Sequence, residues 1–240
     1  MTYKDIKHNE EVNELLKKGN QNLGLLGYTE HSQAHCVRVA ETAAHILKKF
    51  GYPEHDIELA RIAGYMHDIG NAVNRKNHGL TGATLAFQLL DNMGMDMREI
   101  AVVIGAIGNH EEETGVPVGA VSAALIIADK SDAHRSRVRK DSYDSNDIHD
   151  RVNMSIKKNS LIVDRQKHVI RLVISMDQTS ALIEYLQIYL SRIALSEKAA
   201  AFLGCSFELV INGATINRKA GTIKKITLKS SEREVSEDEN

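Results

Sequence analysis

Two cysteines among 240 residues, Cys36 and Cys205, are too few and too far apart for a disulfide framework. Their scarcity suits a reducing cytoplasm, where the chain is expected to reside. Cys36 falls among the apolar positions of a helical pattern and reads as core. Proline is almost missing: Pro53 and Pro117 are the only two, both between periodic segments, so long helices meet few breakers. No apolar run approaches the ~20 residues of a membrane span. The opening "MTYKDIKHNEEVNELL" has a polar helical pattern and none of the apolar stretch of a signal peptide. The formal charge of −2 supplies no basic field for nucleic acid. The basic patches "IHDRVNMSIKKN" and "NRKAGTIKK" lack interleaved aromatics. What is plentiful is histidine, with 11 residues.

Residues 1–140 read as one helical domain. Cys36, Val39, Ala40, Ala43, Ile46, Leu47 and Phe50 recur at helical spacing between Ser32 and Phe50. Further helices are predicted over 54–67, with Gly70 as a C-cap glycine, and over 78–92, 96–110 and 120–135. Residues 141–158 read as a polar linker. A small α+β domain is predicted over 159–229, in the order β-β-α-β with the first two strands joined around "DRQK" and a further short strand near "GTIKKITL". The acidic residues 230–240 read as a disordered tail. The fold class is therefore mainly α, a helical bundle with a small α+β appendage.

Several polar residues occupy costly positions. His67 lies seven, four and three residues after Ala60, Ala63 and Gly64, and so shares their buried face, with Asp68 beside it. Asp129 closes the apolar run "VSAALIIAD", where an ionised carboxylate costs several kcal/mol unless a positive charge meets it. His110 continues the stripe of Val103, Ala106 and Ile107; His35 precedes Val39 by four residues; His78 precedes the small residues Gly79, Gly82 and Ala83. Each histidine taken singly fits a hydrogen-bonded core residue, and each aspartate a salt-bridged acid. Four imidazoles and two carboxylates together fit a divalent metal: iron or manganese foremost, with cobalt, nickel, zinc and magnesium also possible.

The order His35, His67–Asp68, His78, His110, Asp129, carried by "HCVRVAETAAHIL", "YMHDIGN", "NHGLTGATLA", "IGNHEEETGVP" and "LIIADKSDAHRSRVR", resembles the HD-domain metal-dependent phosphohydrolase superfamily over about residues 28–139. The resemblance implies an all-α HD fold with His35, His67, Asp68 and Asp129 around one ion. His78 and His110 resemble the two-metal branch, holding a second ion with Asp68 as bridge. A phosphohydrolase or phosphodiesterase then follows, in which paired cations activate water and absorb phosphoryl charge. Its substrate is a small phosphorylated metabolite or a nucleotide, as in the similar small hydrolases of diadenosine polyphosphates. Asp68, Lys130 and Asp132 are the expected catalytic groups, with Lys130, Arg135, Arg137 and Arg139 facing substrate phosphate. Two features depart from the family: Asn71 stands where many members carry lysine after "HDIG", and "NHEEETGVP" lacks the double histidine of the cyclic di-guanylate branch.

Two other readings use the same residues. A diiron oxygenase shares the superfamily but requires iron and oxygen. A regulatory metal-binding module would signal through the C-terminal segment, whose open strand edges also leave room for a homo-oligomer.

Overall fold

The computed structural model describes residues 1–139, 141 and 143–217. Nine α-helices and a four-stranded sheet lie among them. The helices are α1 (Tyr3–Lys7), α2 (Glu10–Leu25), α3 (Gln33–Phe50), α4 (Glu54–Met66), α5 (His78–Asn92), α6 (Met97–Gly108), α7 (Ala120–Ser131), α8 (Ile148–Ser155) and α9 (Leu182–Phe202). The strands are β1 (Ile156–Asp164), β2 (Val169–Met176), β3 (Ser206–Ile211) and β4 (Ala214–Thr215). None of the described helices is long and apolar enough to cross a membrane.

Helix α3 follows Ser32 and ends at Gly51, whose φ of 82° closes the helix in the left-handed conformation favoured by glycine. Its apolar stripe packs on α4 and α7. The α3–α4 crossing is close because Gly64 has no side chain: a Cβ there would lie 2.6 Å from the Ala40 Cα. That approach brings the start of α3, with His35, beside the end of α4, with His67. Helix α7 runs through the centre with every residue from Val121 to Ala128 buried, and it contacts α3, α4, α6 and α9.

Three expectations need correction. Gly70 does not cap α4. It lies in a 3-10 turn, Ile69–Ala72, and a Cβ there would fall 2.0 Å from the His78 carbonyl oxygen. The stretch read as a linker, 141–158, contains all of α8 and the first residues of β1. The last helix of the bundle stops at Ser131, not near 135. Strands β1 and β2 form an antiparallel hairpin, α9 crosses over, and β3 returns parallel to β2. This helix does not merely cover the sheet: it packs on α7, and one apolar core runs through both halves of the chain. The possible strand near "GTIKKITL" and the acidic tail 230–240 lie outside the described residues.

Candidate metal centre

His67 and His110 follow the ends of α4 and α6, where helix carbonyls lack partners. Each ring turns back and donates Nδ1–H to the carbonyl three residues earlier: His67 to Gly64 at 2.8 Å, His110 to Ile107 at 2.6 Å. His78 opens α5 and places Nδ1 3.0 Å from the Arg75 carbonyl and 2.8 Å from Glu111 Oε1. His35 Nδ1 donates to Asp132 Oδ2 at 2.6 Å. All four imidazoles are thereby held with Nδ1 outward and the Nε2 lone pair facing inward.

Those lone pairs converge. His35 Nε2 and His67 Nε2 lie 3.3 Å apart, and Asp68 Oδ2 is 3.6 and 3.4 Å from them. Asp129 Oδ1 completes the group at 3.4 and 3.6 Å. Donor atoms in a tetrahedral set at ~2.1 Å from an ion stand about 3.4 Å apart. Across Asp68 a second group forms: His78 Nε2 is 3.5 Å from Asp68 Oδ1 and 3.1 Å from His110 Nε2. Asp68 thus turns one oxygen toward each group. It is buried, and Oδ2 has no hydrogen-bond partner. Facing lone pairs and an orphaned carboxylate oxygen repel one another unless a cation joins them, so these residues fit divalent metal.

Burial opposes ionisation of Asp68, but His67 and neighbouring histidines outweigh it and hold the carboxyl well below the usual range. Asp129 is likewise held low against burial, by Lys130 and the histidines. Burial works against a proton on His67, yet Asp68 and Asp129 raise its pKa. Burial, then His78 and Lys130, push His110 down to about 3, keeping the imidazole neutral. The Cys36 thiol lies near His67 and Asp68, but burial raises its pKa and keeps it protonated.

Asp132, expected as a catalytic group, stands behind His35 instead of facing the pocket. Arg38 Nε and Nη2 reach it at 3.1 and 3.0 Å, and Arg137 Nη1 at 3.1 Å. It orients the His35 ring. An Asp132→Asn substitution is expected to weaken metal binding by about 10- to 100-fold with little loss of fold. A manganese titration of variant and parent checks this, and equal affinities would remove Asp132 from the site.

Of the expected phosphate-facing cations, Lys130 and Arg137 line the pocket beside Asp68 and Asp129. Arg135 does not: it reaches the Ile156 carbonyl and Asp177. Arg139 is also elsewhere, tying Asn20 to the Tyr28 carbonyl. His31 lines the pocket, but burial and Arg137 depress its pKa well below the ordinary value. Asn71, in the position of the family lysine, donates to Asp68 Oδ1 at 2.8 Å and fixes the carboxylate. Two pocket residues escaped sequence reasoning. Arg75 sits in a loop without periodicity, and Arg192 looks like an ordinary helix cation. The order and spacing of the histidines carried the rest.

A family model, the HD domain, matches residues 33–139. Similar proteins include an uncharacterised protein of Methanocaldococcus jannaschii, 30% identical over 58% of this chain and 62% of that protein. Ribonuclease Y of Cutibacterium acnes is 30% identical over 49% of this chain and 20% of that enzyme. A solved structure, a predicted HD superfamily hydrolase from an uncultured Thermotogales bacterium, aligns with 53% of this chain and 69% of its own. Its TM-score is 0.42 and its identity 26%. The chain spans less than two thirds of both curated relatives. All six converging His and Asp residues fall within the matched stretch, whereas Arg192 lies outside it.

Proposed function

We propose that residues 33–139 form an HD domain and that it is a divalent-metal-dependent phosphohydrolase or phosphodiesterase acting on a small phosphorylated metabolite or nucleotide. His35, His67, Asp68 and Asp129 would hold one cation; His78 and His110, with the other oxygen of Asp68, would hold a second. The observation carrying the reading is the buried, unpartnered Asp68 Oδ2 among inward-facing imidazole nitrogens. Cations there supply acidified water and neutralisation of phosphoryl charge.

The chain's own groups do the rest. Nδ1 contacts to Gly64, Ile107, Arg75 and Asp132 keep the rings from rotating. Lys130 is buried with Nζ 2.7 Å from Asp129 Oδ2, placing an ammonium donor where a phosphoryl oxygen would enter. Alongside lies a cleft of about 710 Å³ lined by Tyr28, Arg75, Lys76, His78 and Glu111, wide enough for a nucleotide-sized leaving group. Lys130→Met is expected to raise KM about tenfold or more while metal content stays parental. Steady-state kinetics with metal analysis checks both.

The deciding experiment is metal analysis of protein purified without chelator. It is followed by a screen of phosphomonoesters, dinucleotides, cyclic nucleotides and short RNA, in manganese or cobalt without oxygen. Hydrolysis under those conditions supports the proposal. Turnover that needs both iron and oxygen would replace it with the oxygenase reading.

A further inference from the structure

Three consecutive glutamates leave the end of α6, and the structure uses them differently. Glu111 is fixed on His78 Nδ1 and the Gly79 amide, so it belongs to the histidine frame. Glu113 is exposed. Glu112 points into the pocket, where a single oxygen, Oε1, meets two cations: Lys130 Nζ at 3.2 Å and Arg192 Nε at 3.0 Å. Arg192 comes from α9, far along the chain, and is further placed by its guanidinium lying 4.8 Å from the centre of the Tyr189 ring.

Two other cations line the pocket. Arg137 is engaged with Asp132, and Arg75 lies over the Tyr28 ring with Nη1 3.4 Å from His78 Nε2. The pair that meets Glu112 is Lys130, also 2.7 Å from Asp129 Oδ2, and Arg192. What Glu112 Oε1 receives, two cationic N–H donors converging on one anionic oxygen, is what a phosphoryl oxygen beside the metal ligands would require. Both donors hold Glu112 ionised, its pKa brought down to about 2 although burial opposes it. Such a carboxylate satisfies the two cations when no substrate is present.

We propose that Arg192 is a phosphate-binding residue acting with Lys130, and that the Glu112 carboxylate occupies their shared anion position until a phosphoryl oxygen displaces it. The inference rests on reading the pocket as a phosphoryl site. It makes the C-terminal α+β segment a contributor to that site, not an appendage. It also sets a sign that a purely structural ion pair would not produce: removing the Glu112 charge tightens phosphate binding, whereas removing the Arg192 charge weakens it.

Calorimetric titration with inorganic phosphate tests this in full-length protein, both manganese-loaded and metal-free. Arg192→Met is expected to weaken phosphate binding about tenfold or more, with manganese content unchanged. Arg192→Lys should recover part of the loss, and it keeps the test open if Arg192→Met fails to fold. Glu112→Gln is expected to tighten phosphate binding severalfold. Parental phosphate affinity in a folded Arg192 variant, or weaker binding in Glu112→Gln, overturns the proposal. The outcomes separate from those of the hydrolase reading. Manganese-loaded parent that binds phosphate through Arg192 but cleaves no ester keeps the anion site and loses the catalysis. Hydrolysis that survives Arg192→Met with unchanged KM does the reverse.

Discussion

An Asp68→Ala variant is expected to emerge from purification without metal and to lose phosphate release by more than about a thousandfold, beyond the cost of deleting one oxyanion donor. The size of the effect follows from position. Among the described residues, Asp68 is the one that turns an oxygen toward both histidine groups, so a single truncation removes a donor from each. The fold should survive it. In the metal-free protein alanine removes both the unpartnered oxygen and the attraction of the neighbouring histidines, two changes of opposite sign. Metal sets the larger difference: at a thousandfold over its Kd a cation stabilises the parent by about 4 kcal/mol. For a chain of this size that shifts the melting temperature by roughly 8–16 °C. Thermal melts with and without manganese should show that shift in the parent and none in the variant. Parental metal stoichiometry or hydrolysis in Asp68→Ala would refute the assignment.

How far the site could be read in advance depended on the kind of order each residue obeys. The apolar spacing of α3 and the start of α5 at His78 were legible because periodicity and small residues announce them. The six converging His and Asp residues were legible because each sits at a helix edge beside a buried stripe. Helix α8 was not: it starts from the Asp147 cap with only Val152 as a buried large apolar side chain, so composition hid it inside a polar stretch. The first turns of β1 were hidden likewise, since Lys157 and Lys158 project outward from an edge strand. Arg192 follows from tertiary packing alone, because nothing in the local pattern of α9 says that it will lie on α7. The division of labour among Glu111, Glu112 and Asp132 also depended on which neighbour each carboxylate met, and that is not written in spacing.

Gly70 shows the same limit and carries the second large effect. Sequence pattern offers two reasons for a glycine after a helix: a left-handed cap or a close backbone approach. Gly51 uses the first, Gly70 the second. A Cβ on Gly70 would lie 2.0 Å from the His78 carbonyl oxygen and 2.6 Å from the Gly82 nitrogen, both backbone atoms of α5. No side-chain rotation can relieve that clash, so α5 itself must move. Gly70→Ala is therefore expected to destabilise the protein by about 3 kcal/mol or more, at the upper end for overpacking. Because His78 is the first residue of α5, the displacement should separate its Nε2 from Asp68 and His110 while leaving His35, His67 and Asp129 in place. Denaturant melts should fall accordingly, and metal analysis should show weaker binding of one ion before the other. Gly105→Ala supplies the comparison: in the middle of α6 its new methyl meets only the Val118 side chain, at 3.8 Å. Helix propensity then predicts a gain of roughly 0.5–1 kcal/mol. Equal behaviour of the two variants would mean that the turn after the His-Asp pair tolerates a methyl group, and that contact with α5 does not set the position of His78.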